Sequence, residues 1–143
     1  MLFRSDWPKS MTDVVKLVAK NPAAFDNKLG TYAPNISTYT QGLYWSVVKA
    51  RGDTAYDWFK LLGPITDAYR ATGPVLEKIT TGEYQLGYFV VALNLIPYIS
   101  DPVRARLMGW ALPNDAAVVY MRNFGISDKA KSPNSAKLLT DFL

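Results

Sequence analysis

Between residues 71 and 91 the chain constrains its own architecture most tightly. Ala71-Thr72-Gly73-Pro74 is a small-residue turn that opens a short helix, Gly82 closes that helix, and an apolar run from Tyr84 to Val91 follows at once. A strand that is apolar nearly throughout is one buried on both faces of a sheet, so helices have to cover it from both sides. The turn in front of the helix leaves backbone N–H groups free at a helix N-terminus, where the negative charge of a ligand is favoured.

The flanking sequence predicts elements that supply those helices. Ser10 with Asp13 reads as a capping-box variant, and Val14, Leu17 and Val18 give its helix an apolar stripe that Asn21-Pro22 ends. Lys28 to Ala33 is a short strand. After the polar loop 34–42 a helix runs from about Thr40 to Ala50, ended by Arg51-Gly52. Asp53 caps the next helix, with Ala55, Phe59 and Leu62 inward and Gly63 as its C-cap. Asp67 to Arg70 reads equally as a helical turn or a strand. Pro74 to Thr80 is helical, Ala92 to Ile99 is a further helix interrupted by Pro97, and Arg106–Leu112 and Ala117–Phe124 are strands. Ser132 caps a final helix with Pro133 at its first position. Alternating strands and helices predict an α/β fold, a mixed β-sheet flanked by helices. Ala136, Leu139 and Phe142-Leu143 still mark an apolar face where the sequence stops, which reads as a truncation.

Composition narrows the chemistry. At 143 residues, 49% hydrophobic and 20% charged, the chain has the make-up of one ordinary globular domain. Without Cys or His, disulfides, thiol nucleophiles, zinc sites and histidine acid/base catalysis are excluded. The net charge of +4 is spread with no Lys/Arg stripe, which argues against a nucleic-acid partner. No apolar run reaches membrane-spanning length, and MLFRSDWPKS lacks the pattern of a secretory leader. Asp53, Asp57, Asp67 and Glu83 form no evident acid/base dyad, so no enzyme activity is expected, and no cofactor.

Several segments, in order, resemble the extracellular solute-binding proteins of ABC importers, family 1. They are Pro8-Lys9-Ser10 with Asp13, Lys28-Leu29-Gly30 with Tyr32 to Pro34, and Tyr39 to Ala50. Trp58-Phe59-Lys60, Gly82-Glu83-Tyr84 with Leu86-Gly87, and Asn134, Ala136-Lys137-Leu138 and Asp141-Phe142-Leu143 complete the series. The resemblance implies a single lobe of a type II periplasmic binding protein. Residues 1–116 would be the second lobe, and 117–143 a crossover strand and helix returning toward an absent first lobe. It further implies a periplasmic location, non-covalent capture of a small polar or anionic solute between lobes, and docking of the intact protein on a membrane permease. A C-terminal helix without its lobe would pack on a second copy, giving a homodimer. Iron-binding members carry adjacent tyrosines where this chain has Val90, Val91, Ala92 and Leu93, so a metal site of that kind is not expected. Two other classes share the fold: a ligand-sensing domain of a regulator, and an enzyme such as a cofactor-pyrimidine synthase.

The candidate ligand-binding residues follow. Ser37, Thr38, Tyr39, Thr40 and Gln41 offer hydroxyls, an amide and a helix start, and the family places this loop at the cleft. Ala71, Thr72 and Gly73 would form a second wall, and Tyr88 would reach the cleft from the strand. Plain helix capping explains both loops equally well, and a core position explains Tyr88. Tyr44, Trp45 and Trp58 read as core, and Arg104 with Arg106 as a solvated pair.

Overall fold

The computed structural model describes residues 7–121 and 125–142. Its centre is a sheet of β1 (Leu29–Tyr32), β2 (Thr66–Tyr69) and β3 (Leu86–Tyr88) in the order β2-β1-β3. Leu29 stands opposite both Thr66 and Leu86, and both pairings are parallel. Parallel neighbours need long crossovers. Helices α3 (Thr38–Arg51) and α4 (Asp53–Leu62) make the first, and α5 (Thr72–Thr80) makes the second. The chain leaves β1 on one side and returns on the other, so right-handed crossovers put α3 and α4 on one face and α5 on the opposite face. The expected α/β architecture is therefore present.

Small residues set the spacing of the α5 face. A Cβ on Gly30 would lie 2.8 Å from both the Tyr84 ring and Val75, and one on Gly87 would lie 2.9 Å from Val75 and Ile79. α5 and the Tyr84 ring thus rest on bare backbone. Gly82, at φ 80, takes the left-handed turn that ends α5, as its position in the sequence implied.

Helix α1 (Met11–Lys20) buries Met11, Val14 and Val18 against Trp58, Leu62 and Leu29. Ser10 accepts from Asp13 N at 2.9 Å, while the Asp13 carboxylate reaches back to Lys9 N at 3.2 Å, one residue before the place a capping box uses. The short α2 (Pro22–Phe25) follows. Helix α3 starts two residues earlier than the sequence suggested, because Ser37 and Thr40 cap it reciprocally. Asp53 does not cap α4. Gly52, at φ 56, holds that place and Asp53 supplies a charge in the first turn.

The C-terminal part departs furthest from expectation. The strand over Tyr84–Val91 shrinks to Leu86–Tyr88, since Phe89 has φ 54 and leaves extended geometry. The ambiguous stretch at 67–70 is a strand, β2. Residues 92–99 are a 3-10 turn and the single-turn α6 (Ile96–Ile99), with Pro97 in the first turn where its missing N–H costs nothing. Arg106–Leu112 is not a strand, nor is the described part of Ala117–Phe124, of which residues 122–124 lie outside the described residues. Both have apolar residues, but among the described residues neither pairs with the outer strands β2 or β3, and their backbone groups gain no ladder. Helix α7 (Pro133–Phe142) begins on Pro133 as expected, and Leu138, Leu139 and Phe142 are exposed.

One anchor spans the chain. The Asp115 carboxylate accepts from Met11 N at 2.7 Å, Thr12 N at 3.0 Å and the Thr12 hydroxyl at 2.6 Å, capping α1 from more than a hundred residues away. Arg51 Nε donates to the Asp115 carbonyl at 2.7 Å.

Candidate functional site

Because all three strands run the same way, the segments that leave them emerge at one edge. β1 continues into 33–37 and α3, β2 into 70–71 and α5, and β3 into Phe89 and the turn at 92–95. With β1 central and first in sequence, the direction of winding reverses beside it. In open α/β sheets ligands bind outside the carboxyl ends of the strands at such a reversal. Ala33 N donates to Tyr69 O at 2.8 Å, and Asn94 Nδ2 donates to the Thr72 hydroxyl, so the three exits are tied together.

The residues singled out in the sequence separate into three groups here. Ser37 and Thr40 spend their hydroxyls on each other and on the backbone. Ser37 Oγ accepts from Thr40 N at 3.3 Å, and Thr40 Oγ1, fully buried, lies 2.8 Å from Ser37 O and 3.2 Å from Pro34 O. Thr72 is buried against Asn94. These three are structural polar groups at the edge. Thr38, Gln41 and Ala71 are exposed, and nothing lies within 4 Å of where a Cβ on Gly73 would stand. Ala71 caps α5 without a side-chain bond, so no side chain of the cap takes the first N–H groups of that nine-residue helix. Tyr39 stacks between Tyr120, at 4.7 Å, and Tyr32, at 6.3 Å, and the Tyr120 hydroxyl abuts Gly42.

Tyr88 faces α3 and α4. Its hydroxyl donates to Thr66 Oγ1 at 3.2 Å, and its carbonyl accepts from the Thr31 hydroxyl at 2.9 Å. Burial raises the Tyr88 hydroxyl above its ordinary pKa, with the threonine hydrogen bonds working the other way. Tyr88 and Gln41 meet in a cavity of about 650 Å³ under α3 and α4, and Ala71–Gly73 lies outside it. Its floor is Thr31, Thr66 and Ala68, and its walls are Tyr44, Trp45 and Val48 from α3 with Tyr56 and Phe59 from α4. Tyr44 is held by Thr31 at 2.9 Å and by Tyr32 O at 3.1 Å, and burial pushes its hydroxyl pKa strongly up. Trp58 is core as expected, whereas Trp45 is 63% exposed. It lies one residue after Tyr44, outside the buried stripe of Thr40, Leu43 and Val47.

On the α5 face a second polar cluster joins helix to sheet. The Tyr84 hydroxyl donates to the Asp67 carboxylate, Tyr69 and Tyr84 hydroxyls are 2.7 Å apart, and Lys78 pairs with Glu83 at 2.5 Å. Burial, then the Asp67 contact, keeps the Tyr84 hydroxyl protonated far above ordinary pH. Sequence reasoning missed this cluster, Asn94 and Tyr120, since apart from Lys78–Glu83 each partner lies fifteen or more residues away and no local pattern announces it. Arg104 and Arg106 are exposed, with Arg104 3.7 Å from Asp101. Among the described residues no group of three or more Asp or Glu could hold a metal ion, and no helix is long and apolar enough to cross a membrane.

No protein-family model matches the chain, and no curated relative does. Among solved structures it is similar to the substrate binding protein of the ABC transporter from Agrobacterium tumefaciens. The TM-score is 0.72 at 17% identity, covering 94% of this chain and 39% of that one. This chain thus spans well under half the length of the protein it resembles, and what the two share is a fold.

Proposed function

We propose that the chain forms one lobe of a solute-binding protein serving an ABC-type importer, and that it captures its solute without covalent chemistry. The observation that carries this is the β2-β1-β3 order, which gathers the exits of all three strands at one carboxyl edge. The likeness of fold to a transporter's substrate binding protein supports it. The solute is small and polar or anionic. Its charge faces the uncapped start of α5 at Ala71–Gly73, and Thr38, Tyr39 and Gln41 border it from α3. Ser37 and Thr40 hold the α3 start in place, and Tyr88 supports the edge from the sheet. Residues 1–116 make this wall and 117–143 lead toward a second lobe. The intact protein works in the periplasm, and its closed form docks on a membrane permease. Helix α7, with its apolar face open, pairs with a second copy where no other lobe covers it.

Calorimetry with phosphate, sulfate and small carboxylates tests the edge. Gly73→Glu sets a carboxylate in the first turn of α5, where it suits the helix and repels an anion. Gln41→Ala removes the bordering amide. Anion binding should fall at least about tenfold in the first variant and less in the second, with the melting temperature held. Equal affinity in both variants would remove the edge from the site. Sizing chromatography with light scattering tests the dimer, and a monomer at every concentration would end it.

A further inference from the structure

We infer that the cavity under α3 and α4 is a second binding site, for an uncharged, flat, ring-containing molecule. It is not the carboxyl-edge crevice. It meets that edge only at Pro34, Gln41 and Tyr88, and it runs on to Gly63 and Thr66 at the opposite end of β2. Three observations set the chemistry of its occupant. First, no Asp, Glu, Lys or Arg lines it, so an ion entering it would lose water with nothing to replace it. Second, the polar tips of its floor and inner wall are already engaged, and the Gln41 amide, the Trp45 N–H and the Tyr56 hydroxyl stand at its exposed rim. Tyr44 Oη is bonded to Thr31 and Tyr32, Tyr88 Oη to Thr66, and Thr66 Oγ1 donates to Leu62 O at 2.7 Å. The inner rings, Tyr44 and Tyr88, therefore offer faces and edges rather than hydrogen bonds. Third, the walls are packed aromatic rings. Tyr44 packs on Phe59 at 5.3 Å and on Phe89 at 4.9 Å, while Trp45, 63% exposed, and Tyr56, 49% exposed, stand as two lips. At about 650 Å³ the space falls in the range of small-molecule sites, and tilted aromatic walls suit another aromatic body.

A matched pair of probes tests this on the full chain. N-phenyl-1-naphthylamine is neutral, and 1-anilinonaphthalene-8-sulfonate has the same ring system with one negative charge. The neutral probe should bind saturably at one site, at least about tenfold tighter than the sulfonate. Ala68→Phe fills the floor from the exposed edge strand and should abolish that binding while circular dichroism and melting temperature hold. Trp45→Ser removes one lip and should weaken it, which keeps the test decisive if the first variant fails to fold. Sulfonate binding as tight as the neutral probe, unsaturable uptake, or unchanged affinity in the folded variants would overturn the inference. So would a concentration-dependent dimer that excludes the probe, which would assign the cavity to a second copy.

Discussion

Residues 11–91 and residues 92–142 carry similar apolar side chains and fare differently. In the first region Val18, Leu29, Leu62 and Val75 are completely buried. In the second, Leu93, Ile96, Val103, Leu107, Leu112 and Leu138 are each half or more exposed. The difference is not hydrophobicity but the presence of a surface to bury it against. The first region contains a parallel sheet, and its crossovers bring helices to both faces. The second contains turns, a one-turn helix and α7, and it is held to the first by the Asp115 carboxylate on the start of α1, the Asn94–Thr72 bond and the Tyr39–Tyr120 contact. Burial follows from topology, and composition alone does not deliver it.

The sharpest way to break this contrast is Leu62→Ala. Leu62 ends α4 under α1 and belongs to the main core. Its truncation should cost about 2–5 kcal/mol in chemical denaturation, the ordinary range for a buried leucine that leaves a cavity. Next comes Gly30→Ala. The added carbon meets Tyr84 and Val75 at 2.8 Å, so the Tyr84–Asp67 bond has to shift with the ring. A loss of about 1–3 kcal/mol is expected, the range for overpacking. A neutral result would show that α5 is not seated on bare backbone.

Asp115→Asn tests the link between the two regions. An amide cannot accept all the N–H and O–H bonds that the carboxylate takes, and a lost cap costs about 0.5–2 kcal/mol. Burial works to raise the Asp115 pKa, but the hydrogen bonds from the Thr12 side chain and from the Thr12 and Met11 N–H groups outweigh it, so the folded value lies below the ordinary one. The native state thus binds this proton more weakly than the unfolded chain. The contribution is whole above the unfolded value of about 3.9 and fades as pH falls through the lower folded value. Melting curves should separate the two proteins at neutral pH and bring them together below about pH 4. A constant gap through that window would disconnect the carboxylate from α1.

The same contrast shows what the sequence made legible. β1, α1, α5 and the first position of α7 were readable because caps, prolines and apolar spacing act within a few residues. Asp67–Arg70 stayed ambiguous, since parallel pairing to β1 decides it and that partner lies 37 positions away in register, Leu29 against Thr66. Apolar runs at 106–112 and 117–121 looked like strands because pattern cannot tell whether a run reaches a sheet edge and pairs with it. At the site, helix starts were legible as sequence, but not that Ser37, Thr40 and Thr72 turn their hydroxyls inward. Nor was the cavity legible, whose lining comes from three strands, two helices and the segments at Pro34 and Gly63.

The smallest effect is the most diagnostic for the C-terminal region. Leu107 is 57% exposed and follows a short 3-10 turn at Arg104–Arg106. If it is as free in solution, Leu107→Ala removes little contact and should change stability by no more than about 0.5 kcal/mol, as surface substitutions do. Leu62→Ala removes the same atoms from the core, so the two variants differ only in what surrounds them. Denaturation at low and high protein concentration completes the comparison. An exposed side chain gives the same small change at both. A loss approaching that of Leu62→Ala, appearing only at high concentration, would mean that this apolar surface is covered by a second copy and that the contrast between the two regions belongs to the isolated chain.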